Sequence, residues 1–260
     1  MFAYAAGPRT QPSNYARTVA DKSAIEWTEA SWNPATGCSK VSPGCAHCYA
    51  ETFAERFRGV PGHPYEQGFD LKLWHDRLDV PLRWKRPRVI FVNSMSDLFH
   101  ESIPDGFIQA VFDVMGQAHW HTFQILTKRH DRLAVLAPDL EWHPNVWMGV
   151  TIENRRFVHR ADRLREVPAA VRFISAEPLL GPLEGLDLDG VQWLIAGGES
   201  GYKNRPVREQ WITDLRDRCV EEKVAFFFKQ WGGVRAKTGG RLLEDRTWDE
   251  MPTPRVLATA

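Results

Sequence analysis

One pattern recurs along most of this chain: a short apolar block, then polar residues, then an amphipathic stretch. The blocks are continuous and rich in β-branched and aromatic residues, which is typical of parallel strands buried on both faces. The segments between most of them have the length of a βα unit. The pattern therefore predicts an α/β fold with strands at residues 24–27, 89–92, 122–126, 146–150, 171–174, 191–196 and 224–228.

Polar or charged side chains follow six of these blocks within a few residues. Such groups gather at one face when parallel strands form a βα barrel. The sequence predicts a full or partial barrel of the (βα)6 type, made of mostly parallel strands, with its site at the C-terminal strand ends. An open doubly wound sheet is the alternative. The strand-end residues are Asn93, Ser94, Ser96, Asp97, Lys128, Thr151, Glu153, Asn154, Glu177, Glu199 and Lys229.

The ends of the chain lack this periodicity. Residues 1–22 are predicted to be a flexible extension, ahead of a single domain over 23–260 that ends in a short closing segment at 239–252. The crossover at 178–190 is rich in Pro and Gly and is predicted to be a loop. No apolar run approaches the roughly 20 residues of a membrane span, and no secretory leader is evident. A cytoplasmic protein without a membrane partner is expected.

Three of the four cysteines crowd into the segment GCSKVSPGCAHCY, residues 37–49. Their spacing is C-x6-C-x2-C, after the first predicted strand and before a predicted helix. Crowded cysteines in a reducing compartment indicate metal more often than disulfides. Thiolates suit zinc and iron–sulfur clusters, so Cys38, Cys45 and Cys48 are the candidate ligands.

A structural zinc site needs a fourth protein ligand. His47 lies between two of the cysteines and would normally turn away, His63 is too far for a standard finger, and Cys219 falls on the apolar stripe of a predicted helix. Three thiolates on a cubane cluster would instead leave one iron open to an external amine and carboxylate. The sequence favours this [4Fe–4S] arrangement and leaves zinc as the alternative.

The cysteine motif on the first βα loop resembles that of the radical S-adenosylmethionine superfamily, whose usual C-x3-C-x2-C spacing is three residues shorter in its first arm. Further segments resemble, in order, the phage-associated three-cysteine-motif family, which is found in phages and bacterial genomes and is distantly similar to spore photoproduct lyase. They are EWTEASWNPATGCSKVSPGCAHCY (26–49), SMSDLF (94–99), LTKR (126–129), AEPLL (176–180), AGGESG (196–201) and residues 241–252.

This resemblance implies a radical S-adenosylmethionine enzyme, lyase- or transferase-like, that generates a 5′-deoxyadenosyl radical. The superfamily usually holds the amino group of S-adenosylmethionine with Gly-Gly-Glu after its second strand. Here that position reads Asn93 to Asp97, and Gly-Gly-Glu follows the sixth strand, so its role does not transfer. The expected cofactor-binding residues are His47, Tyr49, Asn93, Ser94, Ser96, Asp97, Thr151, Glu153 and Asn154. Lys128, Glu177, Glu199 and Lys229 are expected to face cofactor or substrate, with plain salt bridges as the alternative.

The substrate is less constrained. The 33 Lys and Arg residues balance 33 Asp and Glu residues, which excludes a uniformly basic surface but not a basic groove. Basic residues occur in four clumps, two of which follow predicted strand ends: Arg83, Lys85, Arg86 and Arg88; Lys128, Arg129 and Arg132; Arg155, Arg156 and Arg160; and Lys203, Arg205 and Arg208. With the phage and lyase resemblance, these clumps favour DNA or RNA bases as targets of repair or modification. A small molecule or peptide substrate, or a non-catalytic cluster or zinc protein, are the alternatives. An electron donor such as a flavodoxin or ferredoxin is an implied partner.

Overall fold

A computed structural model describes residues 23, 25–235 and 237–252, so the predicted extension over 1–22 lies outside the described residues. The described strands are β1 Ala30–Trp32, β2 Ala35–Thr36, β3 Lys72–Leu73, β4 Val89–Val92, β5 Thr122–Thr127, β6 Val146–Thr151, β7 Val171–Ala176, β8 Trp193–Gly197 and β9 Ala225–Gln230. The described helices are α1 Tyr49–Ala54, α2 Val80–Arg83, α3 Asp105–Gln117, α4 His130–Leu136, α5 Arg160–Arg165 and α6 Glu209–Glu222. Short 3-10 turns lie at Pro43–Cys45, Glu55–Phe57, His75–Arg77, Ala137–Asp139 and Arg155–Phe157.

Seven of the strands form one parallel sheet in the order β1-β4-β5-β6-β7-β8-β9. Each strand therefore lies beside its predecessor in this sheet, whereas a doubly wound sheet reverses its order at a switch point. Within the described residues, β1 and β9 do not pair with each other, so they are the two edge strands of an open barrel. The predicted partial barrel is confirmed, and the doubly wound alternative is wrong. The remaining strands, β2 and β3, form a small antiparallel pair that the sequence did not predict.

The predicted strands agree with the observed ones within two or three residues, except the first. Ala24 lies outside the described residues, and residues 25–27 form a turn instead of a strand. The edge strand is the next segment, where Ala30 pairs with Ile90. The apolar block misled the prediction because Trp27 is buried in the core without being in a strand.

Two apolar layers fill the two faces of the sheet. On one face, alternate strand residues such as Ile90 and Ile174 pack with the helices in a large core. The intervening residues form a second, inner cluster made mainly of aromatic side chains. As predicted, residues 178–190 cross from β7 to β8 without a helix, and Leu183, Leu186 and Leu188 bury this loop against the large core. The closing segment adds a single bridge from Asp249 to Phe227 instead of the predicted short strand.

The inner cluster is centred on Trp193, which is fully buried. Its ring centroid lies 6.0 Å from Trp27, 6.1 Å from Trp147, 5.5 Å from Phe173 and 6.1 Å from Phe227. Side chains two residues apart share a face of a strand, so the next inward positions after Trp147 are Gly149 and Thr151. The aromatic cluster thus fills the lower half of the barrel, and polar groups occupy the half nearer the strand carboxyl ends.

Gly149 makes room for this aromatic filling. A Cβ atom at this position would lie 2.5 Å from the ring of Phe173. We expect Gly149→Ala to lower the free energy of unfolding by about 1–3 kcal/mol, the usual effect of overpacking a dense core. Denaturant unfolding measures the change. The matched control is Gly106→Ala in α3, where a Cβ meets no atom within 4 Å. An equal loss in both variants would contradict the packing argument.

Candidate metal centre

The three cysteines lie on one loop at the carboxyl ends of the strands. Cys38 follows the short strand β2, Cys45 ends a 3-10 turn, and Cys48 is the N-cap residue of α1. All three are partly buried free thiols. We call residues 38–48 the cysteine loop. Gly37, just before it, bridges to Ser96 after β4, which attaches the loop to the neighbouring strand end.

The first arm of the cysteine loop is held by Arg129, two residues beyond β5. Its Nη2 donates to Ser39 Oγ at 2.9 Å, to Ser39 O at 3.1 Å and to Cys38 Sγ at 3.8 Å. His100 Nε2 also hydrogen-bonds Ser39 Oγ, at 3.0 Å. Glu101 accepts from both Arg129 and Ser39. The guanidinium is only 10% exposed, so it brings a poorly solvated positive charge to the Cys38 sulfur.

The middle of the cysteine loop is held from β6. Ser42 Oγ donates a short hydrogen bond to Glu153 Oε1. Arg160 Nη1 donates to Glu153 Oε2 at 2.9 Å and to Thr151 O at 2.6 Å. Glu153 is 0% exposed and Arg160 is 2% exposed. The predicted cofactor ligand Glu153 therefore has a buried arginine as its partner in this structure, and its role toward a cofactor stays a prediction.

The second arm of the cysteine motif, C-x2-C, is held through Glu199, which follows β8. Arg205 donates to both carboxylate oxygens of Glu199 and, through Nη2, to Pro43 O at 3.0 Å. His47 Nδ1 lies 3.0 Å from Glu199 Oε2. Burial opposes ionisation of Glu199, but these hydrogen bonds outweigh it and lower its pKa to about 2.

The Gly-Gly-Glu segment has a packing explanation. A Cβ on Gly198 would lie 2.0 Å from the carbonyl oxygen of Trp231, so only glycine allows the chain after β9 to approach. The glycines place the two loops together, and the glutamate reaches the cysteine loop. In this structure the motif organises the cysteine loop through Arg205 and His47.

The end of β4 carries four predicted residues, Asn93, Ser94, Ser96 and Asp97, and Tyr49 of α1 contacts one of them. Tyr49 OH donates to Ser94 O at 2.5 Å, and Ser94 Oγ donates to Asn33 Oδ1 at 3.2 Å. Ser96 Oγ donates to Ala35 O at 3.0 Å. Asn93 has a positive φ of 60°, and its buried Nδ2 has no hydrogen-bond partner among the described residues.

The Asp97 carboxylate accepts hydrogen bonds from the end of β5. Its carboxylate accepts from Thr127 Oγ1 at 2.7 Å, from Lys128 N at 3.0 Å and from Phe99 N at 3.0 Å. The carboxylate thus ties the end of β4 to the end of β5. Its predicted contact with an ammonium stays a prediction, since this structure already occupies both oxygens.

The remaining predicted residues face the polar half of the barrel or its rim. Lys229 Nζ and Glu177 Oε1 form an ion pair of 2.6 Å at the ends of β9 and β7. Lys128 Nζ donates to Thr151 Oγ1 at 3.3 Å. Asn154 Oδ1 instead caps the Arg155–Phe157 turn by accepting from Arg156 N at 3.0 Å. Lys229 and Glu177 pair with each other and Asn154 caps a turn, so contacts of these residues with a ligand stay predictions.

The donor set bears on the kind of centre. No three His, Cys, Asp or Glu side chains in the described part of the chain are gathered closely enough to hold a single metal ion. Arg129 near Cys38, and Arg160 within electrostatic reach of Cys45, would offset the negative charge of a thiolate-bound centre. The three free thiols and these cations fit an anionic centre, and its identity as a cluster or a zinc site stays a prediction.

Loading such a centre must displace protons. Burial, together with the charge of Asp97, raises the pKa of the Cys38 thiol to about 11, although Arg129 acts in the opposite direction. Cys219, the considered fourth ligand, is fully buried on α6 within the large core, as its apolar stripe predicts. His63 stacks on Phe57 with a centroid distance of 3.8 Å.

A large cavity opens beside the cysteine loop. Its volume is about 910 Å³, and its walls come from β1, the cysteine loop, α1 and the loop after β8. We call it the lateral cavity, since it borders the edge strand β1. The residues that line it include Ser31, Asn33, His47, Tyr49, Phe53, Arg56, Tyr65, Arg77, Ser94, Tyr202 and Lys203.

Sequence reasoning missed the side chains that hold the cysteine loop. Ser39, Ser42, Arg129, Arg160 and Arg205 were seen as loop residues or as members of basic clumps, whereas each contacts the loop or its acidic anchors. The available signal was position, because Arg129 and Arg205 follow strand ends. Their partners were not readable, since the pairs span up to 162 residues of sequence.

Residues 22–252 match the family described as "Protein of unknown function (DUF5131)". The chain belongs to this family. The matched range contains the cysteine loop and all the strand-end residues discussed above. The description says nothing of phages, so the phage association stays a prediction. No curated protein matches the chain.

Solved structures of spore photoproduct lyase share part of the chain path. The complex with dinucleoside spore photoproduct is 16% identical with a TM-score of 0.47, covering 70% of this chain and 59% of that one. A doubly substituted mutant of the lyase, with bound AdoMet and the same photoproduct, is 15% identical with a TM-score of 0.45 and the same coverage. The chain thus spans 59% of the length of these structures. Among the described residues, no helix has the length and apolarity to cross a membrane.

Proposed function

We propose that this DUF5131 family member is a radical S-adenosylmethionine enzyme that binds a [4Fe–4S] cluster through Cys38, Cys45 and Cys48. The observation that carries the proposal is the cysteine loop, with three free thiols held from the ends of β5, β6 and β8. Three thiolates would leave one iron for S-adenosylmethionine. When bound, the cluster would supply one electron that cleaves the sulfonium to methionine and a 5′-deoxyadenosyl radical.

The chain's own residues support such chemistry in three ways. Arg129 and Arg160 place positive charge beside the thiolates, which favours an anionic centre. The aromatic cluster around Trp193 closes the lower half of the barrel and keeps water out from below. Lys128, Glu177 and Lys229 offer charged groups at the strand ends, where they would orient a polar ligand.

The roles of other strand-end residues follow from polar atoms that lack a hydrogen-bond partner or lie beside the cysteine loop. The unpartnered Nδ2 of Asn93 is a buried donor that a bound ligand would satisfy. Ser94 and Tyr49 lie at the boundary between the cysteine loop and the lateral cavity. We assign Asn93 and Ser94 to cofactor binding, and Tyr49 holds Ser94 through a hydrogen bond to its main-chain oxygen. An electron donor such as a flavodoxin or ferredoxin would be required, and a reducing cytoplasm is the proposed location.

Anaerobic reconstitution tests the proposal. Full-length protein supplied with iron and sulfide should take up about four of each per chain, as one [4Fe–4S] cluster requires. With S-adenosylmethionine and a reductant it should then release 5′-deoxyadenosine, measured by chromatography. Protein that takes up the cluster without forming 5′-deoxyadenosine would favour a non-catalytic cluster protein. Tight uptake of one zinc ion with no iron would contradict the proposal outright.

A further inference from the structure

The charge of the lateral cavity is one-sided. Its lining carries the cations of Arg56, Arg77 and Lys203, and no Asp or Glu side chain of the described residues lines it. The chain as a whole has equal numbers of acidic and basic residues, so this wall is not a sample of the average surface. A cavity with this lining favours an anionic ligand over a cationic one.

Two of these cations are uncommitted. Arg56 and Lys203 are exposed and have no ion-pair partner in the part of the chain that the structure describes. Arg77 instead lies over the Trp74 ring at 3.6 Å from its centroid. Arg56 comes from the turn after α1, and Lys203 comes from the loop after β8. Two separate elements of the fold therefore each bring a cation without an ion-pair partner to the cavity.

Four arginines of the basic clumps that suggested a nucleic-acid surface are held in contacts elsewhere. Arg129 and Arg205 hold the cysteine loop, Arg160 pairs with Glu153, and Arg132 donates to Ile103 O at 2.5 Å and Asp105 Oδ1 at 2.7 Å. These arginines cannot track a phosphate backbone without breaking the loop supports. The free cations of the lateral cavity are better placed to do so.

Aromatic side chains stand beside the free cations. Tyr49 is 60% exposed, Phe53 is 43% exposed and Tyr202 is 87% exposed. Tyr65 meets Phe53 edge to face at a centroid distance of 5.5 Å, which leaves part of the Phe53 surface uncovered. Exposed ring faces next to cations suit a planar aromatic group that carries negative charge, because stacking and ion pairing then act together.

We propose that the lateral cavity binds a nucleotide, with its base stacked on the rings of Tyr49 and Phe53 and its phosphate at Arg56 and Lys203. The inference rests on the proposed function, since His47 of the cysteine loop lines the same cavity. A volume of about 910 Å³ accommodates a ligand of this size. The nucleotide is either free or part of a single strand, and the two sources share this chemistry.

Binding measurements on reconstituted, full-length protein separate the sources. With S-adenosylmethionine at saturation, fluorescence anisotropy would follow a labelled single-stranded DNA 12-mer, and calorimetry would follow dAMP. We expect binding of the 12-mer that weakens with salt, and any binding of dAMP alone identifies a free nucleotide as the ligand. Failure of both at low ionic strength overturns the inference. Binding of either probe that is seen without S-adenosylmethionine and lost at its saturation also overturns it, since the cavity would then be the cofactor's own.

Variants place the ligand in the cavity. Phe53→Ala should weaken binding about 5- to 150-fold, the range for loss of one base–aromatic stack. Arg56→Gln with Lys203→Gln should reduce the slope of log affinity against log salt for the 12-mer by about 1.4 if each contacts a phosphate. The matched control is Lys85→Gln with Arg86→Gln, which removes the same charge from exposed positions just before β4. Equal effects in both charge variants would overturn the assignment.

The outcome remains distinct from that of the proposed function. Iron content and circular dichroism of each variant report whether the cysteine loop and the fold are intact. A variant can keep a full cluster and normal 5′-deoxyadenosine release but lose nucleotide binding. If the control charge variant then loses nucleotide binding equally, only the cavity inference is overturned. Failure to load iron in the wild-type protein would sink the proposed function, whatever the protein binds.

Discussion

Cys38→Ala, Cys45→Ala and Cys48→Ala should each lose the cluster and with it all 5′-deoxyadenosine formation above background. The physical reason is the number of ligands: the cysteine loop supplies three thiolates, and the described residues gather no alternative group of three metal ligands. A cubane held by two thiolates keeps two irons unprotected by the protein. Iron and sulfide analysis of the reconstituted variants, with the visible absorption of the cluster, measures the loss.

Cys219→Ala is the matched control for these variants. It removes the same sulfur from the buried face of α6, where the side chain is 0% exposed within the large core. Burial raises the pKa of this thiol to about 12, which keeps it a protonated apolar group. We expect normal iron content and a modest loss of stability. Wild-type iron in any of the three loop variants, or loss of iron in Cys219→Ala, would contradict the assignment of ligands.

Glu153→Ala should lower the free energy of unfolding by about 3–5 kcal/mol, the cost of leaving a buried charge without its partner. Arg160 is 2% exposed and has Glu153 as its only carboxylate partner among the described residues. Its second contact, the carbonyl of Thr151, is a neutral acceptor. Unfolding in guanidinium chloride, followed by circular dichroism, would measure the change in the free energy of unfolding.

Two further variants make this prediction specific. Asp79→Ala breaks the Arg83–Asp79 pair, whose side chains are 62% and 55% exposed, and should cost no more than about 1 kcal/mol. Glu153→Ala combined with Arg160→Met removes both charges and should recover part of the loss. A loss in Glu153→Ala no larger than that in Asp79→Ala would show that the buried pair is not anchoring the fold.

The fold was readable from the sequence because its strands are buried on both faces. From β4 onward, continuous apolar blocks marked each strand, and the polar residues after them marked the carboxyl ends. The prediction of the first strand was wrong because β1 has only three residues, Ala30–Trp32, and the stronger apolar signal belongs to the turn before it. The β2–β3 pair was not predicted for the same reason, because each strand has only two residues.

The grouping of the three cysteines on one loop was predictable, whereas the side chains that hold this loop were not; the role of the cysteines as ligands stays a prediction. Local spacing identified the three cysteines and placed them after the first strand. The contacts of Asp97 with Thr127, of Glu153 with Ser42 and of Glu199 with His47 depend on which strand ends meet in space, and that arrangement is absent from local patterns. Glu153 and Glu199 are in addition joined to arginines seven and six residues further along the chain, Arg160 and Arg205.

The sequential order of the strands has a consequence for the newly made chain. The cysteine loop is synthesised well before the groups that hold it. Arg129 supports the first arm, Glu153 the middle, and Arg205 the last turn before Cys45. The loop cannot reach its observed shape until synthesis has passed residue 205, because the support that Arg205 gives to Pro43 comes from 162 residues further along the chain.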